Sequence, residues 1–338
     1  MDKDKTIQEL NKLNIELARQ LDEKNNFIHE NSNFLAHDLR IKCIRDLALV
    51  KGYSLTEQLS DKEAKLQLSK SFGNPKAIEE NKEHEFARKH SLVHMKSNSI
   101  CTWIPKNACS TLRYSIALSN GAISGIEEID WIHKNNLSFT ASNKELLDAK
   151  YTFTILRNPF KRLLSFYCDK ICNSSKNSND SSYETAQATL KTDLSTSFED
   201  FINILWQDPA MKKRNKHIQD QCDFLVYKNY HDYLAFEEFK QTASTIFEKS
   251  GITLEDTRSY NSIYTTHGCA FSDELKFDTP AESIGLAAMS SKKPKVENMY
   301  NDDLIKKVGS LYLSDILLYL KVIKNARHEM RDWLRYMC

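Results

Sequence analysis

The chain has 338 residues, 41% of them hydrophobic, with 47 lysines and arginines against 46 aspartates and glutamates, enough to bury a sizeable core in about two domains or in one large one with an extension. A formal charge of +1 excludes a protein that holds nucleic acid by counterion release along a basic face, so any anion site must be local. No apolar run approaches the roughly 20 residues of a membrane helix and "MDKDKTIQELNKL" has no apolar signal core, which makes the expected address cytoplasmic.

Residues 5–38 space their apolar groups alternately four and three apart: Ile7, Asn14, Leu21, Ile28 and Leu35 share one position, and Leu10, Leu17, Lys24 and Asn31 the other. Such a seam buries itself against a partner helix, where a polar Asn14 sets register. Lys24 and Asn31 weaken it, so a coiled-coil homodimer and a helix packed on its own domain both fit. Charged helical patterns continue to residue 90, broken at Gly73-Asn74-Pro75. Residues 1–90 therefore read as a helical extension.

At Ser91 the texture changes. "SLVHMKSNSICTWIP" predicts a buried strand that opens a second domain over 91–338. "YTFTILR" (151–157) predicts another, followed by Asn158-Pro159 and by "FKRLLSFYCDKI", whose Phe160, Leu163, Leu164 and Tyr167 recur at helical spacing. Strand, turn and helix thus occur twice, which favours a parallel sheet with crossover helices. Residues 173–197, rich in Ser, Asn and Thr, read as a mobile insertion or lid. Helical patterns return in "FEDFINILWQ", in "HDYLAFEEFKQTASTIFEKSG" and from Asp302 to the C-terminus. The eight cysteines form no CxxC pair, so reduced structural thiols fit better than a zinc site or a disulfide framework.

The two turns carry the chemistry. In "IPKNACSTLRYSIAL" the first amides of a helix have no backbone partners and carry the positive end of its dipole, so an anion fits there. Lys106 adds a mobile positive charge, and Ser110 and Thr111 add hydroxyl donors. The glycines of a Walker A loop are absent and the lysine precedes the cradle instead of closing it. In "ILRNPFKRLLSFY", Arg157 ends a strand, Asn158 can cap and Pro159 suits the first helical position. Arg162 and Ser165 lie three apart on one helical face, and an arginine fork binds phosphate more specifically than a lysine point charge. Two anion-binding turns on adjacent parallel strands point to a ligand with two separated phosphates, a dinucleotide or a doubly phosphorylated nucleotide.

These stretches resemble the sulfotransferases that use 3′-phosphoadenosine 5′-phosphosulfate, and within them the carbohydrate sulfotransferase branch. "IPKNACST" resembles the family's 5′-phosphosulfate loop, and "ILRNPFKRLLSFY" is similar to its 3′-phosphate motif. "IDWIHKNNLSF", "NKHIQDQCDFLVY", "HDYLAFEEF" and "NMYNDDLIKKVGSLYLSDILLYL" resemble later segments in the family's order, so the resemblance covers about residues 95–323. Ile218 and Asp220 stand where that branch usually shows tryptophan and proline.

The resemblance implies an α/β domain with a P-loop-NTPase-like parallel sheet flanked by helices. It implies a donor cradle of Lys106, Asn107, Ala108, Cys109, Ser110 and Thr111 at the 5′ end, and Arg157 with Ser165 at the 3′-phosphate. Lys106 would follow the oxygen that bridges sulfur and phosphate, with a sugar or glycan hydroxyl as acceptor and no metal required. The acceptor proton needs a base, for which His133 and His217 are the candidates. Glu127, Glu128 and Asp130 are carboxylate alternatives. Lys292, Lys293 and Lys295 read as loop lysines that could close over an anion, and Gln219 and Gln221 could contact sugar hydroxyls. Two other readings stay open from the residues alone: a P-loop kinase using ATP, and a non-catalytic nucleotide-binding scaffold assembled through the N-terminal heptads.

Overall fold

The central sheet places β1 (Ser91–His94), β2 (Ser99–Thr102), β3 (Tyr151–Leu156) and β4 (Asp232–Ala235) side by side in that order. The structure is a computed structural model that describes residues 66–70, 77–135, 137–172, 182–257 and 269–337. β1 pairs antiparallel with β2, and β2, β3 and β4 run parallel. Where one strand was predicted over residues 91–105 there is a hairpin. Asn98 closes it with a left-handed φ of 50°, a conformation that asparagine tolerates better than most side chains. Every residue of β3 is buried, as expected for a strand covered on both faces.

Parallel neighbours need crossovers, and helices supply them. α1 (Lys82–Lys89) precedes β1. α2 (Cys109–Ser119), α3 (Trp131–Lys134) and α4 (Asn143–Asp148) lie between β2 and β3. α5 (Pro159–Lys170), α6 (Ser182–Leu190), α7 (Phe198–Gln207) and α8 (Gln221–Phe224) lie between β3 and β4, and α9 (Phe239–Ser250) follows β4. Leu92, Trp103, Leu112, Ile116, Phe153, Ile155 and Ile246 share one core that joins the sheet to α2 and α9. Residues before Ser91 also belong to this unit, which spans Asp61–Tyr336: Leu68 bridges to Tyr227 and α1 buries His84 and Ala87.

Three further local expectations changed. "HDYLAFEEF", predicted helical, begins as β4, because Tyr233, Leu234 and Ala235 pair with Thr154, Ile155 and Leu156 of β3; sheet pairing overrides local propensity. Residues 182–190 of the polar insertion form a helix that buries Ala186 and Leu190. Lys292 and Lys293 lie on β6 (Lys292–Pro294), which pairs with β5 (Ala270–Ser272). There Lys293 sits 4.6 Å from the Phe271 ring centroid and Lys295 pairs with Asp273 at 2.6 Å.

α10 (Ala281–Met289) precedes β6, and the C-terminal pattern forms α11 (Asp302–Leu311) and α12 (Leu313–Val322), followed by shorter helices. No described helix is long and apolar enough to cross a membrane. The heptad segment 5–38 and residues 173–181 lie outside the described residues.

Candidate functional site

Because β2 and β3 are parallel with Thr102 opposite Thr154, the turns that leave them open at the same edge of the sheet. That edge, beyond the carboxyl ends of the strands, is where open α/β sheets bind ligands. The first turn runs from Trp103 to Ala108. Lys106 and Ala108 take left-handed φ values of 70° and 59°, which cost about 1–3 kcal/mol each for residues with a Cβ. Alternation of this kind around Asn107 is the backbone of an anion-binding concavity, in which successive amides face one point. α2 then starts at Cys109, with Cys109 and Ser110 half-buried at its mouth.

Two residues expected in the cradle, Asn107 and Thr111, point elsewhere. Asn107 is buried, with Nδ2 donating to the Ile155 carbonyl at 2.9 Å and to Gln221 Oε1 at 2.6 Å. Its side chain ties the turn to the sheet, so only its backbone faces the concavity. Thr111 is also buried, its hydroxyl 3.2 Å from that of Thr257.

The second turn begins at Arg157. Asn158 caps α5 by accepting from the Phe160 amide at 3.0 Å, and its own amide donates to Glu237 Oε1 at 3.0 Å. The Arg157 guanidinium donates from Nη1 to the Lys106 carbonyl at 2.9 Å, which joins the two turns directly. It also lies 4.3 Å from the Phe236 ring centroid, and its Nε is buried without a partner. Burial lowers this group to about 10, so it stays charged at neutral pH. A buried donor with no acceptor costs free energy unless something arrives to satisfy it. Ser165 is half-buried on the same helix, two turns further along.

Beneath both turns is a polar core. Gln221, 1% exposed, accepts at Oε1 from Asn107 Nδ2 and from the Arg157 amide at 3.1 Å, and donates from Nε2 to the Arg157 carbonyl at 2.9 Å. It is a buried clamp between the turns, its amide engaged by Asn107 and Arg157. Gln219 is engaged with Asp223 at 3.0 Å. Arg162, expected at a phosphate, is instead a buried brace: Nε donates to the Pro105 carbonyl at 3.1 Å and Nη1 to the Gln219 carbonyl at 2.8 Å. Asp315 on α12 completes this core. Its carboxylate accepts from the Gln221 and Cys222 amides at 2.8 and 3.1 Å and lies 4.0 Å from Arg162.

Above the turns, Lys106 Nζ meets Asp169 Oδ2 at 3.0 Å, and Lys170 meets the same oxygen at 3.4 Å. Burial pushes the Asp169 carboxyl up, but the two ammoniums outweigh this and hold it at about 2. His217 stacks on Phe166 with centroids 6.3 Å apart. Burial, with the Lys170, Lys106 and Lys216 charges close by, lowers its imidazole to about 3 against a weaker upward pull from Asp169. Nδ1 is 3.2 Å from Asn215 Oδ1. That oxygen can only accept, so Nδ1 carries the proton and Nε2 the lone pair.

This arrangement predicts that the His217 ring resonances of the ligand-free protein stay constant from pH 8 to pH 5, where an ordinary histidine titrates. A midpoint near 6.5 would contradict it. The folded state refuses a proton that the unfolded chain accepts at about 6.5, so this residue makes stability fall as pH drops from there toward about 3.

The structure thus brings Lys106, Arg157 and His217 to one place, whereas His133 lies exposed on α3, which packs on α2. Glu127, Glu128 and Asp130 are exposed as well. Asp169 was missed by sequence reasoning, although a signal existed: it follows Arg162 and Ser165 at helical spacing, an isolated acid on a basic and apolar helix. Asp315 gave none. Among the described residues no group of acidic, histidine and cysteine side chains is arranged to hold a metal ion.

Comparison with known proteins returned one family: the model of the sulfotransferase family matches residues 89–321. No curated protein and no solved structure matches the chain.

Proposed function

Since the chain belongs to the sulfotransferase family, we propose that its two turns hold 3′-phosphoadenosine 5′-phosphosulfate and that the site passes the sulfuryl group to a hydroxyl of a carbohydrate. The observation that carries this reading is the joint between the turns: Arg157, with its orphaned Nε, reaches the Lys106 carbonyl. A bis-phosphorylated nucleotide that spans the joint gives both turns a ligand. The 5′-phosphate faces the amides of Lys106–Ser110 at the start of α2, and the 3′-phosphate faces Arg157 and Ser165. The donor supplies the sulfuryl group and a good leaving group; the protein positions and neutralises.

In the transfer the acceptor oxygen bonds to sulfur as the sulfur–oxygen bond to the 5′-phosphate breaks. Lys106 turns from Asp169 toward the oxygen on which negative charge grows, a stabilisation that counts most in the transition state. His217 Nε2 takes the acceptor proton. Its place beside Lys106 favours it over the exposed His133, and donor phosphates nearby would raise its basicity toward neutrality. Asp169 steers Lys106 and is itself too acidic to act as the base.

The test has two parts. Calorimetry with 3′-phosphoadenosine 5′-phosphate should give a binding isotherm, and Arg157→Ala should weaken it about 10- to 100-fold, the worth of a charged hydrogen bond. Incubation with labelled donor and a panel of glycans should then label one of them. Absence of any binding heat from the unmodified protein would end the proposal.

A further inference from the structure

The loop that carries His217 is closed at its base by an ion pair. Lys212, on the 3-10 helix Pro209–Arg214, donates from Nζ to both carboxylate oxygens of Asp220, at 2.7 and 3.0 Å. The same ammonium reaches the Leu311 carbonyl and lies 4.5 Å from the Tyr312 ring centroid. His217 stands between the two partners in the chain. After it the backbone is pinned residue by residue: the Tyr312 hydroxyl donates to the Ile218 carbonyl at 2.7 Å, Arg162 Nη1 donates to the Gln219 carbonyl at 2.8 Å, and Lys212 takes Asp220. One lysine thus ties both ends of the loop to the junction of α11 and α12.

The pair is held at a cost. Burial first, then Asp315 and more weakly Asp223, push the Asp220 carboxyl up, and Lys212 pulls it only part of the way back. A carboxyl raised by the fold lowers stability while it is charged, a penalty that lifts as pH falls through its folded value. The backbone does not ask for an acid here. Asp220 has a φ of −58° and a ψ of 138°, which proline adopts without strain, and among the described residues its amide makes no hydrogen bond. The carbohydrate branch that the chain resembles usually shows proline at this position. A costly ion pair therefore stands where a rigid backbone residue fits.

We propose that Lys212 and Asp220 are the positioning pair for His217: by closing residues 212–220 they keep the imidazole stacked on Phe166 and beside Lys106 and Asp169. This rests on the sulfotransferase reading, in which His217 takes the acceptor proton. Neither partner touches the donor or the acceptor; both act through the loop. A drift of about 1 Å at the reacting groups is enough to cost about 100-fold in rate.

The experiment is an NMR pH titration of the His217 ring in the ligand-free full chain. In the unmodified protein, burial and the Lys170, Lys106 and Lys216 charges keep the imidazole at about 3 against the pull of Asp169. Asp220→Ala opens the loop and admits water, and should carry the midpoint above about pH 5, toward the ordinary 6.5. Losing an anion can by itself only lower an imidazole, so a rise reports position and not charge. Lys212→Met should act in the same direction. Should one variant not fold, the other decides, because Asp220→Ala leaves a lysine still bonded to Leu311 and Lys212→Met leaves a carboxyl that burial inclines to protonate. Asp220→Pro also removes the carboxylate but keeps the backbone direction, and should hold the midpoint as low as in the unmodified protein. A midpoint that stays below about pH 5 in the opened variants overturns the inference, and so does one that rises equally in Asp220→Pro. Calorimetry with 3′-phosphoadenosine 5′-phosphate should move by less than about twofold in Asp220→Ala, while transfer to the glycan that the labelled donor marks falls about tenfold or more. Loss of nucleotide binding in that variant overturns the inference by assigning the pair to the two turns. Failure of the unmodified protein to bind the nucleotide removes the sulfotransferase reading itself, a result that the titration cannot produce.

Discussion

Replacing Lys106 by alanine is expected to lower sulfuryl transfer by about 100- to 1000-fold, the usual cost of removing one group aimed at transition-state charge. Nucleotide affinity should fall only a few-fold, because backbone amides and Arg157 hold the phosphates. The loss then sits in the chemical step and not in binding. Strain does not confuse the comparison. Lys106 is left-handed at a φ of 70° and Ala108 is left-handed at 59°, so an alanine meets the same backbone penalty as the lysine it replaces. Arginine should rescue poorly, since its planar fork cannot follow a single oxygen from the position that Asp169 now sets at 3.0 Å. Single-turnover assays with labelled donor read the effect directly. A fall of less than tenfold would show that this ammonium is not the group that stabilises the departing oxygen.

Asp315→Ala should destabilise the protein by about 3–5 kcal/mol, because it strips the partner from a buried arginine and leaves two amides unsatisfied. Asp315 is 0% exposed and Arg162 2%. Burial raises the carboxyl, and Arg162 with the Gln221 and Cys222 amides pulls it back. The pair itself need not add stability over an apolar core; breaking it is what costs. Thermal unfolding should shift down on the order of 10 °C, and a loss below about 1 kcal/mol would contradict the assignment. Asp315→Asn keeps one acceptor and should recover part of the loss. The damage also travels. Arg162 carries the Pro105 carbonyl and Gln221 carries Asn107 and Arg157, so both turns loosen and nucleotide affinity falls even in protein that remains folded.

Much of the geometry of the candidate site was legible in the chain because its signals are local. A strand followed by Pro-Lys-Asn-Ala-Cys-Ser-Thr, and another followed by Arg-Asn-Pro, state where two helices begin, and helix starts attract anions whatever surrounds them. Lys106, Arg157, the α2 mouth and the parallel order of β2 and β3 were all readable in this way, as were the capping by Asn158 and the apolar face of α5. The family resemblance, which covers about residues 95–323, is borne out by the family match over residues 89–321.

Tertiary structure alone decided what the long polar side chains do. Gln221 read as a surface residue able to meet a sugar, and Arg162 as a phosphate ligand; one became the clamp between the turns and the other a brace beneath them. Their partners, Asn107, Pro105 and Asp315, are far away in sequence, and no periodicity encodes a contact between an α12 carboxylate and the amides that open α8. The same holds for Asp169, whose proximity to Lys106 depends on how α5 packs beside the first turn, and for His217, which lies near Lys106 and Asp169 while His133 is exposed on α3. A sequence determines hydrogen-bonding capacity and local backbone direction. Which capacity is spent inside the protein, and which is left for a ligand, depends on burial, and burial belongs to the whole fold.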